Sequence, residues 1–118
     1  MNKEDLQKRT KQFALRIIVL IKALPNTIEG KVIANQLLRC GTSVGANYRS
    51  ACRARSKNEF IAKIGVVIEE SDESSFWLEI IIESKMIKKE LVESLLIESN
   101  EITAIMVSVV KSSKNHNS

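Results

Sequence analysis

The sequence predicts one all-α domain over residues 1–118, folded as an antiparallel up-down-up-down four-helix bundle. The length of 118 residues suffices for about one hydrophobic core. Only one proline and four glycines are present, so the residues that interrupt helices and form hairpin turns are scarce. Apolar residues recur at three- and four-residue steps in four successive segments. Helices that follow one another across short turns pack as antiparallel neighbours.

The first two segments predict a helical hairpin. Helix one is expected over residues 4–24, because Pro25 follows and proline disfavours helix in the residue before it. Asn26 or Thr27 then caps helix two. The apolar face of helix one consists of Leu6, Phe13, Ile17, Leu20 and Leu24, and that of helix two consists of Ile33, Leu37, Cys40, Val44, Tyr48 and Ala51.

Two glycines interrupt the pattern of helix two. Gly41 and Gly45 lie four residues apart on one face, and each costs about 1 kcal/mol relative to alanine in a helix. The pair therefore marks either a close helix crossing or a break in the helix.

Helix three is predicted to begin with a capping box. In this motif the Ser56 side chain accepts from the amide of Glu59, and the Glu59 side chain accepts from the amide of Ser56. The helix is expected to end near Ser84, and after a turn helix four leads into a polar frayed tail from about residue 112. The predicted core positions are Phe60, Ile64, Val67, Ser71, Ser75, Leu78 and Ile82 in helix three, and Leu91, Leu95, Ile102, Ile105 and Val109 in helix four.

Charge is distributed unevenly between the two halves of the chain. Residues 1–57 contain twelve Lys and Arg against three Asp and Glu, whereas residues 58–118 contain six against eleven. This asymmetry favours the packing of a basic hairpin on an acidic one. Apolar residues on more than one side of helix three, such as Phe76, Trp77 and Ile80, favour self-association.

The sequence predicts neither an enzyme nor a metal or cofactor site. Cys40 and Cys52 would lie about 18 Å apart along one helix, which is too far for a disulfide. The one histidine, His116, falls in the predicted tail, so neither a metal-ligand set nor a histidine base is available. Free thiols, polar ends and the lack of a membrane-length apolar run predict a cytoplasmic protein without a membrane partner.

The strongest local feature is a cluster of four cations without an acid, Arg49, Arg53, Arg55 and Lys57. Arg49 and Arg53 are one helical turn apart and repel each other unless an anion faces them. Two partners remain open: carboxylates of helix three, or the phosphates of a nucleic acid, which guanidinium groups bind bidentately. Antiparallel packing could bring acids of helix three to helix two, and we expect internal carboxylates for Arg39 and Arg53, and phosphate for Arg49, Arg55 and Lys57.

A second polar group is interpreted as structural. Ser43 and Asn47 lie one turn apart on helix two near Arg39, while Asp72 and Glu73 on helix three offer carboxylates. Because buried polar groups need hydrogen-bond partners, these five residues predict a structural polar network and not an active site.

Four segments of the chain together resemble a known family. They are Gln36-Leu37-Leu38-Arg39, Thr42-Ser43-Val44-Gly45-Ala46-Asn47-Tyr48, Arg53-Ala54-Arg55-Ser56-Lys57-Asn58-Glu59-Phe60-Ile61 and Glu70-Ser71-Asp72-Glu73. The combination resembles the family called four-helix bundle protein, also known as the 23S rRNA intervening-sequence protein or S23 family, from about Leu24 into helix four. Where many members have I-A-E-G, this chain has Tyr48-Arg49-Ser50-Ala51. The change makes the cation cluster more basic, because an acid is missing and an arginine is present.

The resemblance implies an antiparallel four-helix bundle that assembles as a homopentamer. Relatives include basic accessory proteins of retroelements that look like nucleic-acid-binding partners of a reverse transcriptase. Together with the cation cluster, this predicts a non-enzymatic homo-oligomer that binds RNA or DNA through Arg49, Arg53, Arg55 and Lys57, helped by Lys8, Arg9, Lys11 and Arg16. The alternative is a protein-interaction scaffold, in which the acidic and apolar helix three docks a protein partner and the arginines pair within the bundle.

Overall fold

The computed structural model describes residues 1–115 and confirms the four-helix bundle. The bundle measures about 52 Å by 20 Å by 20 Å. A 3-10 turn precedes the last helix. The helices are α1 (Lys3–Ile21), α2 (Ile28–Ala51), α3 (Lys57–Glu83) and α4 (Glu93–Asn115), and the 3-10 turn spans Lys89–Leu91.

Contacts between neighbouring helices fix an antiparallel register. In each pair of neighbouring helices, the later part of one helix lies opposite the earlier part of the other. The N-termini of α1 and α3 and the C-termini of α2 and α4 therefore share one end of the bundle. The contacts that define the register are Thr10 with Gly45, Lys63 with Ser50, and Ser75 with Ser99.

The core follows the predicted apolar faces most closely in α1 and α2. All six predicted positions of α2 are buried. Of the predicted positions of helix one, only Leu24 is half-buried, and it lies after the end of α1. In α3, Ile81 is buried in place of Ile82, which is half-buried like Phe60. The prediction for Leu91 is wrong, because this residue ends the 3-10 turn and is 57% exposed.

A seam of hydroxyl side chains lies between α3 and α4. The Oγ atoms of Ser75 and Ser99 are 2.7 Å apart, and the hydroxyl oxygens of Ser71 and Thr103 are 2.8 Å apart. Ser99 also donates to the Ser71 carbonyl at 2.9 Å. Each of these groups is satisfied, so the seam holds the two helices close together without leaving a buried polar atom unpaired.

The two glycines of α2 mark a close helix crossing and not a break. The helix runs through both positions. A Cβ at Gly41 would lie 2.8 Å from Ile17 Cγ1, and one at Gly45 would lie 3.2 Å from the Thr10 carbonyl oxygen. These short distances show that α1 packs directly on the glycine face.

The helix ends differ from prediction in small ways. The α1 helix ends at Ile21, since the residues before Pro25 form tight turns such as Leu24 N–H to the Ile21 carbonyl. Ser56 accepts from the Glu59 amide at 3.1 Å, but the return bond of the capping box is not formed within residues 1–115. The α4 helix continues through the predicted start of the tail to Asn115, and His116 lies outside the described residues.

Candidate nucleic-acid interface

The four predicted nucleic-acid contacts lie together at one end of the bundle. Arg49 is in the last turn of α2, Arg53 and Arg55 are in the α2–α3 connection, and Lys57 begins α3. The three arginines are exposed and Lys57 is half-buried. In the part of the chain that the structure describes, none of these four side chains makes an ion pair or a hydrogen bond. The internal carboxylate pair that we expected for Arg53 is therefore not formed, because Arg53 lies beyond the end of α2.

The antiparallel topology brings further cations to the same end. They come from the beginning of α1 and the end of α4, and all are exposed without an ion-pair partner among the described residues. The acids at this end are Glu4, Asp5 and Glu59, of which Asp5 accepts from the Asn2 amide in the cap of α1. We call the set of unpaired cations the basic end; it comprises Lys3, Lys8, Lys11, Arg49, Arg53, Arg55, Lys57, Lys111 and Lys114.

Two of the predicted helper residues do not belong to this set. The Arg9 guanidinium lies 2.7 Å from the Glu98 carboxylate and 2.7 Å from that of Glu101, so it ties α1 to α4. The hydrogen bonds and charges of these two carboxylates raise the pKa of Arg9. Arg16 donates to the Ser94 hydroxyl at 3.0 Å, also across the α1–α4 boundary. Both side chains are thus engaged within the bundle.

Arg39 pairs with carboxylates of α3, as expected. Its guanidinium lies 2.6 Å from the Glu73 carboxylate and 3.3 Å from that of Glu70. Trp77 Nε1 donates to the same Glu73 oxygen at 3.1 Å. The Trp77 hydrogen bond and the Arg39 charge lower the pKa of Glu73, and Glu73 in turn raises the pKa of Arg39. Arg39 is therefore a structural cation.

The five residues of the predicted polar network do not form one network. Asn47 donates to the Ser43 backbone carbonyl at 2.8 Å, within α2 and apart from the Arg39–Glu73 pair. Asp72 is exposed and contacts none of the others. It points outward because its neighbour Ser71 faces the core seam with α4.

The candidates for thiol chemistry and metal binding are the two cysteines and the other possible metal ligands. Cys40 is buried and accepts from the Ser74 hydroxyl at 3.3 Å, and burial raises the pKa of its thiol. Both cysteines are free. No group of three or more His, Cys, Asp or Glu side chains within residues 1–115 could hold a metal ion. Within the same range no helix is long and apolar enough to span a membrane.

This geometry suits the binding of anions. The cations of the basic end come from helix ends that share one end of the bundle and have no ion-pair partner among the described residues, whereas carboxylates elsewhere neutralise Arg9, Arg39 and Lys89. Sequence reasoning found the α2–α3 part of the surface. It missed Lys3, Lys111 and Lys114, since only the bundle topology brings the two chain ends beside Arg49.

Comparison with known proteins places the chain in a family. The model of the 23S rRNA-intervening sequence protein family matches residues 2–108. The structure is similar to the crystal structure of a protein of unknown function from the S23 ribosomal protein family of Bacteroides thetaiotaomicron. That similarity has a TM-score of 0.84 at 38% sequence identity and covers 90% of this chain and 98% of the other. No curated protein matches the chain. The chain therefore belongs to the 23S rRNA-intervening sequence protein family.

Proposed function

We propose that this protein is a non-enzymatic nucleic-acid-binding module that contacts phosphates through its basic end. The observation that carries the proposal is the contrast between paired and unpaired cations. Arg9 and Arg39 are neutralised by carboxylates, whereas Arg49 and its neighbours of the basic end have none in the described chain. A clustered positive surface without internal partners lowers its free energy by binding a polyanion and releasing that polymer's counterions.

The expected binding is independent of sequence. Phosphate contacts position a protein on a duplex but carry no base information. The basic end offers lysines and exposed arginines. Of the aromatic residues near it, Tyr48 is buried and Phe60 is half-buried against the core, whereas Phe76 and Trp77 lie in the later part of α3, away from it. Stacking on single-stranded bases therefore plays no part in the proposal.

The functional form in this proposal is a homo-oligomer, because the family resemblance implies a homopentamer. The outer face of α3 supplies a surface for it, because Phe76 is 51% exposed and packs edge-on against half-buried Trp77. Repetition of the basic end around an oligomer raises affinity by avidity without new contacts.

The proposed location is the cytoplasm. Free thiols such as those of Cys40 and Cys52 fit a reducing compartment.

The second candidate is a protein-interaction scaffold. The same face of α3 favours it, because exposed Phe76 and Val66 are interspersed with the acids Glu69 and Asp72. A basic and apolar partner segment would complement this face. In that case the basic end would serve solubility and would not bind phosphate.

Fluorescence anisotropy of labelled RNA and DNA duplexes tests the proposal. The test variant combines Arg53→Ala, Arg55→Ala and Lys57→Ala, and the control combines Lys22→Ala, Lys31→Ala and Lys88→Ala at exposed, unpaired sites towards the other end. Both variants lose three positive charges. We expect the test variant to lose duplex binding at moderate salt and the control to retain it, with oligomer mass unchanged by light scattering. Absence of wild-type binding at low salt would overturn the proposal in favour of the scaffold.

A further inference from the structure

A groove runs between α1 and α2 within the basic end. Its two charged lining residues are Lys11 of α1 and Arg49 of α2, and no acid lines it. Its volume is about 330 Å³. Pockets for small ligands measure roughly 300–1,000 Å³, so the groove has room for a phosphate together with part of a sugar.

The floor of the groove exists because small residues line α2. A Cβ at Gly45 would lie 3.2 Å from the Thr10 carbonyl oxygen, so the two helix backbones approach closely there. Ala46 is exposed beside it and leaves the space above the floor open. The groove is thus a consequence of the same helix crossing that Gly41 and Gly45 permit.

Some hydrogen-bond donors in the groove are already engaged within the protein, and others have no partner there. The hydroxyl of Thr42 donates to the Leu38 carbonyl at 2.6 Å, so it is already engaged. The side chains of Gln7, Lys11 and Arg49 make no hydrogen bond or ion pair within the described residues. A planar guanidinium on one wall and an ammonium on the other match the oxygens of a phosphate ester.

We propose that this groove is a phosphate-ester subsite, in which Lys11 and Arg49 clamp a backbone phosphate of the bound nucleic acid above Gly45 and Ala46. The inference rests on the proposed function. It assigns these two members of the basic end to one defined phosphate contact on the side of the bundle, so that a strand that reaches Arg53 continues into the groove.

Filling the groove without changing its charge tests the subsite. Ala46→Leu places a bulky side chain over the floor, and Ala104→Leu makes the same change at an exposed position of α4. We expect Ala46→Leu to weaken duplex binding and to make the slope of log affinity against log salt less negative by about 1, as expected for one lost phosphate contact. Ala104→Leu should bind like wild type, and both variants should melt within a few degrees of it.

A double-mutant cycle with Lys11→Ala adds a second readout. If Lys11 acts in the groove, Lys11→Ala should weaken binding in the wild-type background but have no further effect once Ala46→Leu has filled the site. Equal effects in both backgrounds would overturn the subsite.

The outcomes separate the subsite from the proposed function. If the Arg53/Arg55/Lys57 variant loses binding while Ala46→Leu and Lys11→Ala bind like Ala104→Leu, the subsite is wrong and the proposed function stands. If wild type binds no duplex, both fail. A nucleoside monophosphate that raises the melting temperature of wild type but not of Ala46→Leu, with duplex binding unchanged in that variant, would assign the groove to free phosphate esters and overturn the nucleic-acid subsite.

Discussion

The Arg39 guanidinium lies 2.6 Å from the Glu73 carboxylate, which also accepts a hydrogen bond from Trp77 at 3.1 Å. This arrangement joins α2 to α3 and neutralises the one arginine in the middle of α2. Further along the same helix, Arg49 has no such partner in the described bundle. Two arginines on one helix are thus divided between a structural role and a proposed binding role.

The Glu73 contacts predict a fluorescence change at acidic pH. Because the folded-state pKa of Glu73 is lowered from its usual 4.5, its contribution to stability is present above that value and is lost as the pH falls through the lowered pKa. Trp77 is the single tryptophan and reports this step directly. We expect its emission to titrate with a midpoint below 4.5, and Glu73→Gln to abolish the transition. A midpoint above the usual value would contradict the assigned contacts.

The glycine crossing predicts opposite effects for the same substitution at two positions of α2 and α3. In Gly41→Ala the new methyl group would meet the stiff, buried Ile17, and such overpacking costs roughly 1–3 kcal/mol. At Gly65 the added Cβ would meet no atom within 4 Å apart from the local backbone of α3 and the neighbouring residues, so Gly65→Ala should raise the free energy of unfolding by about 0.5–1 kcal/mol. Urea denaturation measures both. Stabilisation by Gly41→Ala would show that α1 packs less closely than described.

The neighbouring cations Lys8 and Arg9 of α1 are expected to differ in role, one in binding and the other in stability. Arg9→Ala removes the ion pairs to Glu98 and Glu101 and should lower the free energy of unfolding by about 1 kcal/mol. Lys8→Ala removes an exposed, unpaired cation and should leave stability within about 0.5 kcal/mol. By contrast, Lys8→Ala should weaken duplex binding more than Arg9→Ala does. If both variants were equally stable and Arg9→Ala weakened duplex binding more than Lys8→Ala did, the assignment of a structural role to Arg9 would be wrong.

Much of the bundle could be predicted from residue periodicity. The face of α2 repeats apolar residues at helical spacing, and all of its predicted positions are buried. Periodicity failed where another element intervened: Leu91 continues the pattern of α4, but the 3-10 turn places it in solvent and buries Val92. The burial of Ser74 and Ser99 was also missed, because a hydroxyl that finds a partner on a neighbouring helix looks like a surface residue in the sequence. Ser74 donates to Cys40 of α2, and Ser99 contacts Ser75 of α3.

The candidate site was predictable only where its residues are neighbours in the chain. The run from Arg49 to Lys57 is visible as a cluster without acids. Lys8 and Lys11 were expected to assist it, but the role of Lys111 depends on the antiparallel register that brings the end of α4 beside the start of α1. Whether an arginine is neutralised also depends on the partner helix, as the different surroundings of Arg39 and Arg53 illustrate.

The salt dependence of duplex DNA affinity is the most direct test of phosphate binding by the basic end. The measurement compares wild type with the Arg53→Ala/Arg55→Ala/Lys57→Ala variant over a salt series, at equal oligomer mass. Wild-type affinity should fall linearly on a double-logarithmic plot, and loss of three phosphate contacts should make the slope less negative by about 3. A wild-type affinity that does not change with salt, or an identical slope in the variant, would contradict the account.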